Sequence, residues 1–83
     1  MGETLNLSEL MVGEQATILA VAVPDKKLLS RFLGIGLSPG SKVKLYERLP
    51  GQLVLEVEGR KIALDSFIAD KILVSKEDRK KAD

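Results

Sequence analysis

Residues 42–58 read KVKLYERLPGQLVLEVE and carry the clearest secondary-structure pattern in the chain. Polar and apolar residues alternate in the first half, which places Val43 and Leu45 on one face of a strand. Lys42 and Lys44 fall on the opposite face. A Pro-Gly pair then marks a turn, and a second apolar run follows it. The stretch therefore predicts a β-hairpin with one buried face, although the alternation slips just before the turn.

The segment ahead of this hairpin predicts a strand, a helix and a tight turn. Residues 16–23 read ATILAVAV, a run of small and β-branched residues that predicts a strand buried on both faces. A short buried helix fits the alanines but not the valines. Asp25 can cap a helix of about three turns, and Gly36 ends that helix. The Pro-Gly pair at 39–40 is typical of a type II turn.

The last part of the predicted domain consists of short strands around one helical turn. We expect a strand at residues 62–64, a helical turn capped by Asp65, and a final strand at residues 72–74. The chain then has about five short strands, one inserted short helix and a helical turn before the last strand. This pattern predicts a mainly β fold, a small closed or nearly closed barrel. The folded domain would span residues 1–74, and a charged, disordered tail would span residues 75–83.

The composition excludes several classes of protein. The chain has 83 residues, the size of one domain, and its 13 Lys and Arg residues and 12 Asp and Glu residues give a net charge of +1. The charges alternate in sign along the sequence, whereas a nucleic-acid binder of this size concentrates basic residues on one face. We therefore expect no nucleic-acid partner. Cysteine and histidine are absent, which excludes disulfides, the usual zinc sites and any Cys or His nucleophile.

The sequence shows no signal for secretion or membrane insertion. The start of the chain lacks the basic segment and apolar run of a signal peptide. No apolar stretch approaches the roughly 20 residues of a transmembrane helix. These features predict a cytoplasmic protein that does not insert into a membrane.

A catalytic constellation is also lacking. Glu56 and Glu58 share a strand face, but the alternation of that strand requires polar residues there, so we interpret them as a solvated face. Gly34, Gly36 and Gly40 follow a helix instead of preceding one, and they lack the Gly-Lys-Ser/Thr ending of a phosphate-binding loop. We expect neither enzymatic activity nor a cofactor or metal site.

The outward residues of the hairpin are the best candidates for a partner surface. Tyr and Arg are enriched in protein interfaces, and both occur along the first hairpin strand. Arg31 lies beside the apolar stripe of the helix, where it either covers the core with its stem or projects into a partner. All of these residues could also be ordinary exposed positions. The candidate partner-binding residues are Arg31, Lys42, Lys44, Tyr46 and Arg48.

Residues 31–40 read RFLGIGLSPG and resemble the Arg-Leu-x-x-Leu-Gly-Ile/Phe-x-Pro-Gly pattern of the FeoA family, the ferrous iron transport protein A family. Phe32 and Ile35 stand where leucine is usual. Each such motif is short, but four in the right order cover residues 7–74. The three further segments that agree with the family in order and distance are residues 7–14, 59–64 and 69–74.

The resemblance implies an SH3-like barrel that works in the cytoplasm with the FeoB membrane transporter. In that family the GTPase domain of FeoB powers or gates ferrous iron uptake, and a FeoA-like chain would act on it by protein contact. With neither Cys nor His, this chain is a poor candidate for holding Fe²⁺ itself. Residues 49–53 form a shorter connection than the family usually has, so the partner contact of this chain could differ.

Two alternative functions stay open at the level of sequence. The same fold occurs as the SH3-like domain of iron-dependent transcription regulators, but those proteins carry a helix-turn-helix and metal ligands ahead of it, for which a chain beginning at Met1 has no room. A general protein-interaction adaptor of SH3 type would need an aromatic-lined groove. The chain offers only Phe32, Tyr46 and Phe67, and we expect two of them in the core. We also expect weak homo-oligomers, because the helix has more leucines than one small core can face.

Overall fold

Six β-strands and two α-helices make up the part of the chain that the structure describes, residues 3–76. The structure is a computed structural model. No helix within these residues is long and apolar enough to cross a membrane. In chain order the elements are β1 Glu3–Asn6, a 3-10 helix Leu7–Glu9, β2 Gln15–Val21, α1 Lys26–Gly34, β3 Lys42–Leu49, β4 Gln52–Val57, β5 Arg60–Asp65, α2 Ser66–Ala69 and β6 Ile72–Lys76.

The strands form one antiparallel sheet in the order β1-β6-β2-β3-β4-β5. β1 and β5 are its edges, and no ladder joins them within the described range. The 3-10 helix contacts β6 and α2, while α2 contacts β4 and β5. Helical turns therefore connect the two edges where a closed barrel would have a strand ladder. The predicted mainly β fold is confirmed, a closed barrel is wrong, and the sheet has six strands where we predicted about five.

β1 is the strand that the sequence did not reveal. It pairs with β6, with Leu5 opposite Val74, and its four residues are too few to show a strand period. β6 in turn extends to Lys76, so Ser75 and Lys76 belong to the sheet and not to the tail. The remaining tail residues, 77–83, lie outside the described residues, and their predicted disorder stays a prediction.

The core is almost purely aliphatic. Phe32 is only 4% exposed, whereas Tyr46 and Phe67 are 47% and 67% exposed, so the expectation of two core aromatics is wrong. The single turn of α2 turns Ala69 inward and leaves Phe67 in solvent. No polar or charged residue is buried between residues 3 and 76. The buried residues are Leu7, Leu10, Ala16, Ile18, Val23, Phe32, Leu37, Val43, Leu45, Leu53, Leu55, Val57, Leu64, Ala69, Ile72 and Val74.

β3 and β4 form the predicted hairpin. Val43 and Leu45 are buried on β3 and stand opposite Val57 and Leu55 on β4. The register shifts by one residue between Leu45 and Glu47, which is a β-bulge. This bulge is the structural cause of the slip in the sequence alternation.

β2 differs from its prediction. The strand spans Gln15–Val21, and only Ala16 and Ile18 are buried, whereas Leu19 and Ala20 are exposed. A β-bulge between Ile18 and Ala20 changes which side chains face inward. Because one face of the antiparallel sheet is open to solvent here, a strand buried on both faces is wrong.

α1 begins and ends as predicted. The Asp25 carboxylate accepts hydrogen bonds from the backbone N–H of Lys27 at 2.9 Å and of Leu28 at 3.4 Å, which caps the helix. Gly36 follows the helix with a φ of +97°, a conformation that favours glycine. A Cβ at Gly36 would also lie 3.1 Å from Cγ1 of Val57. Both the backbone conformation and this close contact therefore favour glycine at the position.

The predicted type II turn at residues 38–41, called the second turn below, is confirmed. The N–H of Ser41 donates to the carbonyl of Ser38 at 2.9 Å, and Gly40 has a φ of +94°. The N–H of Gly40 donates to the carbonyl of Ile18 at 2.8 Å, and the N–H of Ile18 donates to the carbonyl of Ser41 at 2.8 Å. Gly40 is therefore also the first residue of a glycine β-bulge at the start of β3.

Candidate protein-contact surface

The outer face of β3 carries three of the five candidate residues. Lys42, Lys44 and Tyr46 lie on the side of the strand opposite the buried residues. Lys44 stands opposite Gln15 on β2 and opposite Glu56 on β4. The structure therefore brings these three candidates together on one solvent-facing surface of the sheet.

Tyr46 is the exposed aromatic residue of this face. The Nζ of Lys61 on β5 lies 4.3 Å from the centroid of the tyrosine ring, within the range of a cation–π contact. Lys61 also stands opposite Glu56, so it continues the row of charges that Lys44 begins. Sequence reasoning missed Lys61, although the two-residue turn at 58–59 sets this register.

The β-bulge separates Arg48 from the outer face. Beyond the bulge Arg48 pairs with Leu53, which is buried, so its side chain leaves the strand on the inner side. The Nη2 of Arg48 donates to the carbonyl of Ser8 at 3.0 Å and also to the carbonyl of Leu10. Arg48 thus holds the 3-10 helix and the residue after it, Leu10, against β3.

Arg31 lies on a different element from the other candidates. It is exposed in the last turn of α1, where a positive charge is favourable near the C-terminal end of a helix. Leu33 on the same helix is 49% exposed and Leu29 is half-buried, so α1 also presents apolar surface. Partner binding by Arg31 and the four β3 candidates stays a prediction.

A tight turn beside β3 presents exposed residues that the sequence analysis did not select as candidates. In this first turn, residues 11–14, the N–H of Glu14 donates to the carbonyl of Met11 at 3.0 Å and Gly13 has a φ of +94°, which is type II geometry. The N–H of Gly13 donates to the carbonyl of Leu45 at 2.7 Å, and the N–H of Leu45 donates to the carbonyl of Glu14 at 3.0 Å. Like the second turn, the first turn therefore combines a type II turn with a glycine β-bulge.

The first turn exposes two large apolar side chains on a braced backbone. Met11 is 68% exposed and Val12 is 61% exposed. The Glu14 carboxylate accepts from the N–H of Met11 at 2.8 Å and from the Nζ of Lys76 at 2.9 Å. The hydrogen bond to Glu14 raises the pKa of Lys76 above its ordinary value. The apolar pair was visible in the sequence, but only the register brings Lys76 and Arg48 to this turn.

Several other carboxylates form hydrogen bonds within the fold. Asp65 accepts from the N–H of Phe67 at 2.9 Å at the start of α2, and Glu9 accepts from the N–H of Asn6 at 2.8 Å. Asp70 accepts from the hydroxyl of Ser8. Within residues 3–76 no group of three or more Asp and Glu side chains could hold a metal ion. The expected lack of a metal site stays a prediction.

Comparison with known proteins gives a family match and several structural neighbours. The sequence matches the family model of the FeoA domain over residues 5–76. No curated protein matches the chain. The solution structure of the FeoA protein from Chlorobium tepidum superposes with a TM-score of 0.84 at 24% identity, over 93% of this chain and 74% of that one.

Two further solved structures show the range of proteins that share this fold. FeoA from Stenotrophomonas maltophilia, crystallised with zinc and described as a prokaryotic SH3 domain protein, gives a TM-score of 0.73 at 23% identity over 84% of this chain and 88% of that one. IdeR from T. acidophilum gives a TM-score of 0.79 at 23% identity over 89% of this chain. The match covers 34% of the IdeR chain, so this chain spans about a third of that protein. The predicted SH3-like fold is confirmed.

Proposed function

Because the chain belongs to the FeoA domain family, we propose that it is a cytoplasmic accessory protein of bacterial ferrous iron uptake. It acts by protein contact with the GTPase domain of a FeoB-type membrane transporter. The family match over residues 5–76 carries the proposal, since it spans nearly the whole described fold. The related fold of Stenotrophomonas maltophilia FeoA, a candidate activating factor of ferrous iron transport, supports it.

The way in which the chain uses its acidic side chains supports contact instead of catalysis. Acid–base catalysis needs a titratable group held free at the reacting atoms. Here Glu9 and Glu14 bond to backbone N–H groups, and Asp25 and Asp65 cap helices. The exposed residues of β3 and the first turn offer apolar, aromatic and cationic groups, which suit a protein interface better than a reaction centre.

Calorimetric titration of the purified chain into the purified GTPase domain of the FeoB-type transporter from the same organism tests the proposal. We expect 1:1 binding with a Kd on the order of micromolar, which corresponds to about 8 kcal/mol of binding free energy. An unrelated small GTPase is the control and should give no heat. Absence of binding with GDP, with a GTP analogue and without nucleotide would overturn the proposal.

A second candidate function is the SH3-like domain of an iron-dependent transcription regulator. The superposition on IdeR supports it, because the same fold forms about a third of that chain. Sizing the native polypeptide from source cells by mass spectrometry separates the candidates. A mass near 9.1 kDa agrees with the accessory protein, and a much larger polypeptide with a DNA-binding segment favours the regulator.

A further inference from the structure

Met11 and Val12 form an exposed pair, called the apolar tip below, that folding does not explain. A type II turn requires glycine or a similar residue at its third position, whereas polar residues or proline are usual at the first two. Met11 and Val12 occupy those two positions and are 68% and 61% exposed. Large side chains that stay in water add little to the core. Their apolar character therefore points to a use outside the fold.

The second turn is an internal control for this argument. It has the same type II geometry and the same glycine bulge, also with a glycine φ of +94°. At the two positions equivalent to the apolar tip it carries Ser38 and Pro39. A small polar residue and proline therefore suffice to close this turn in this protein. Methionine and valine are not needed for the backbone of the first turn.

The apolar tip sits on a backbone that several elements hold in place. The backbone N–H and carbonyl of Leu45 both form hydrogen bonds with the turn. The Arg48 side chain donates a hydrogen bond to the carbonyl of Leu10, immediately before the turn. Glu14 binds the N–H of Met11 and is itself bound by Lys76. A preorganised loop loses less conformational entropy when it binds, so bracing of this kind favours affinity. Methionine also adapts its shape to a pocket.

The side chains around the apolar tip indicate what kind of partner surface it would bind. A convex pair of apolar side chains needs a concave apolar site on its partner. The charge of Glu14 is matched by Lys76 at 2.9 Å. The other charged residues on β3, and those on the same outer face of β4 and β5, are four cations against three acids, an excess of one positive charge that favours carboxylates on the partner. They are Lys42, Lys44, Arg48 and Lys61 against Glu47, Glu56 and Asp65, and Asp65 also caps α2.

We propose that the apolar tip inserts into an apolar pocket bordered by carboxylates on the GTPase domain of the transporter. This inference rests on the proposed function and adds the contact surface to it. Met11 and Val12 act as the central apolar anchors of the interface, and the outer face of β3 with Tyr46 lies beside them as its polar rim.

A double variant that copies the second turn tests this inference. The M11S/V12P chain has Ser-Pro-Gly in the first turn, as the second turn has, so its backbone should fold unchanged. Titrated into the same purified GTPase domain, it should bind about tenfold or more weakly than the wild-type chain. F67S removes an equally exposed apolar side chain on α2 and should bind like the wild type. M11S/V12T repeats the test without proline.

The outcomes separate the inference from the proposed function. If the wild-type chain binds and both double variants bind equally well, the apolar tip is not the anchor and the inference is overturned, while the proposed function stands. If the wild-type chain does not bind, the proposed function itself is overturned, and the inference with it. An equal loss in F67S would also overturn the assignment to this turn.

Three further measurements test the choice of partner surface. K44E should weaken binding if carboxylates border the pocket, and unchanged binding would overturn that part of the proposal. The wild-type chain should not sediment with vesicles of phosphatidylglycerol and phosphatidylcholine. Any concentration-dependent association in ultracentrifugation, such as the weak homo-oligomers expected from the leucines of α1, should be unchanged in M11S/V12P. Association in either assay that M11S/V12P abolishes would assign the apolar tip to lipid or to a second copy of the chain and overturn the proposal.

Discussion

The first turn and the second turn have the same backbone and present different surfaces. Each is a type II turn, each ends in a glycine bulge, and together they bound the three-residue pairing between β2 and β3. The first turn exposes methionine and valine, whereas the second carries serine and proline. The comparison teaches that glycine satisfies the backbone at both places and that the neighbouring side chains are free to serve another purpose.

The two turns also differ in what braces them. The first is held by the side chains of Glu14, Lys76 and Arg48, which come from three parts of the chain. The second has one side-chain contact of its own, between the hydroxyls of Ser38 and Ser41 at 3.2 Å. If these side-chain contacts serve binding and not folding, their loss should lower the free energy of unfolding only slightly. Substitution of the turn glycines, or of the buried residues that hydrogen-bond to each turn, should lower it more.

The largest effects should come from the buried residues against which the two turns close. Leu45 forms the backbone hydrogen bonds to the first turn, and its side chain is 0% exposed. Ile18 forms those to the second turn and is 1% exposed. Leu45→Ala and Ile18→Ala should each lower the free energy of unfolding by about 2–5 kcal/mol, because each leaves a cavity. Urea denaturation measures both. A Leu45→Ala cost clearly below about 2 kcal/mol, the lower limit for such a truncation in a core, would show that the two turns do not rest on equivalent core residues.

Substitution of the turn glycines should have the next largest effect. Gly13→Ala and Gly40→Ala should each cost about 1–2 kcal/mol, because alanine is strained at a positive φ. No atom lies within 4 Å of the added Cβ at either position, so the two costs should be alike. Gly34→Ala, in α1 and equally open, is the control and should stabilise the chain by up to about 1 kcal/mol. Clearly unequal costs at the two turns would contradict the comparison.

Removal of the arginine brace should affect the first turn to a smaller degree. Arg48→Met keeps the aliphatic stem but loses the hydrogen bonds to the carbonyls of Ser8 and Leu10. We expect a loss of about 1 kcal/mol in the free energy of unfolding. Lys42→Met on the same strand is the matched control and should leave stability nearly unchanged. Faster hydrogen exchange at the Met11 amide in Arg48→Met would show that the first turn has loosened.

The bond between Lys76 and Glu14 should make stability depend on pH in the alkaline range. Because folding raises the pKa of Lys76, its contribution is fully present below the ordinary lysine pKa of about 10.4. The contribution disappears as pH rises through the higher pKa of the folded state. Thermal unfolding of the wild type and of Glu14→Gln between pH 9 and pH 12, about the range over which lysine titrates, measures it. The variant should show a shallower alkaline decline, and identical profiles would contradict this assignment.

The smallest effect on stability should come from the variant that alters the apolar tip itself. M11S/V12P should unfold within about 0.5 kcal/mol of the wild type, because the exposed side chains add little and proline restricts the unfolded chain. Urea denaturation of the two chains side by side checks this. A loss above 2 kcal/mol, about the size of a core truncation, would show that Met11 or Val12 packs in solution and would remove the reason to assign them to binding.

Local patterns in the sequence predicted much of the fold. The alternation through Val43 and Leu45 located the central hairpin, Asp25 located the start of α1, and Gly36 and Gly40 marked a helix end and a turn. Each of these is a short-range preference of the backbone or of a cap, so it is visible within a few residues. The family motifs consist largely of such positions, and the match to the family model over residues 5–76 confirmed the family.

The candidate surface was only partly visible. Lys42, Lys44 and Tyr46 share a face because strand alternation puts them there, and the sequence was enough to predict that. Arg48 lies on the other side because of a β-bulge, which the sequence showed only as a slip in the alternation and did not locate at a particular residue. The prediction that β2 is buried on both faces was wrong for a similar reason, since the bulge in β2 exposes Leu19 and Ala20.

By itself the sequence determined the turns, the caps, the alternating faces and the family, because these depend on neighbours along the chain. Only the tertiary structure decided that the sheet stays open between β1 and β5, that Lys76 belongs to β6, and that Arg48, Glu14 and Lys76 meet at the first turn. These contacts join residues more than 30 positions apart. Such contacts depend on strand register, and a single bulged residue is enough to change the register.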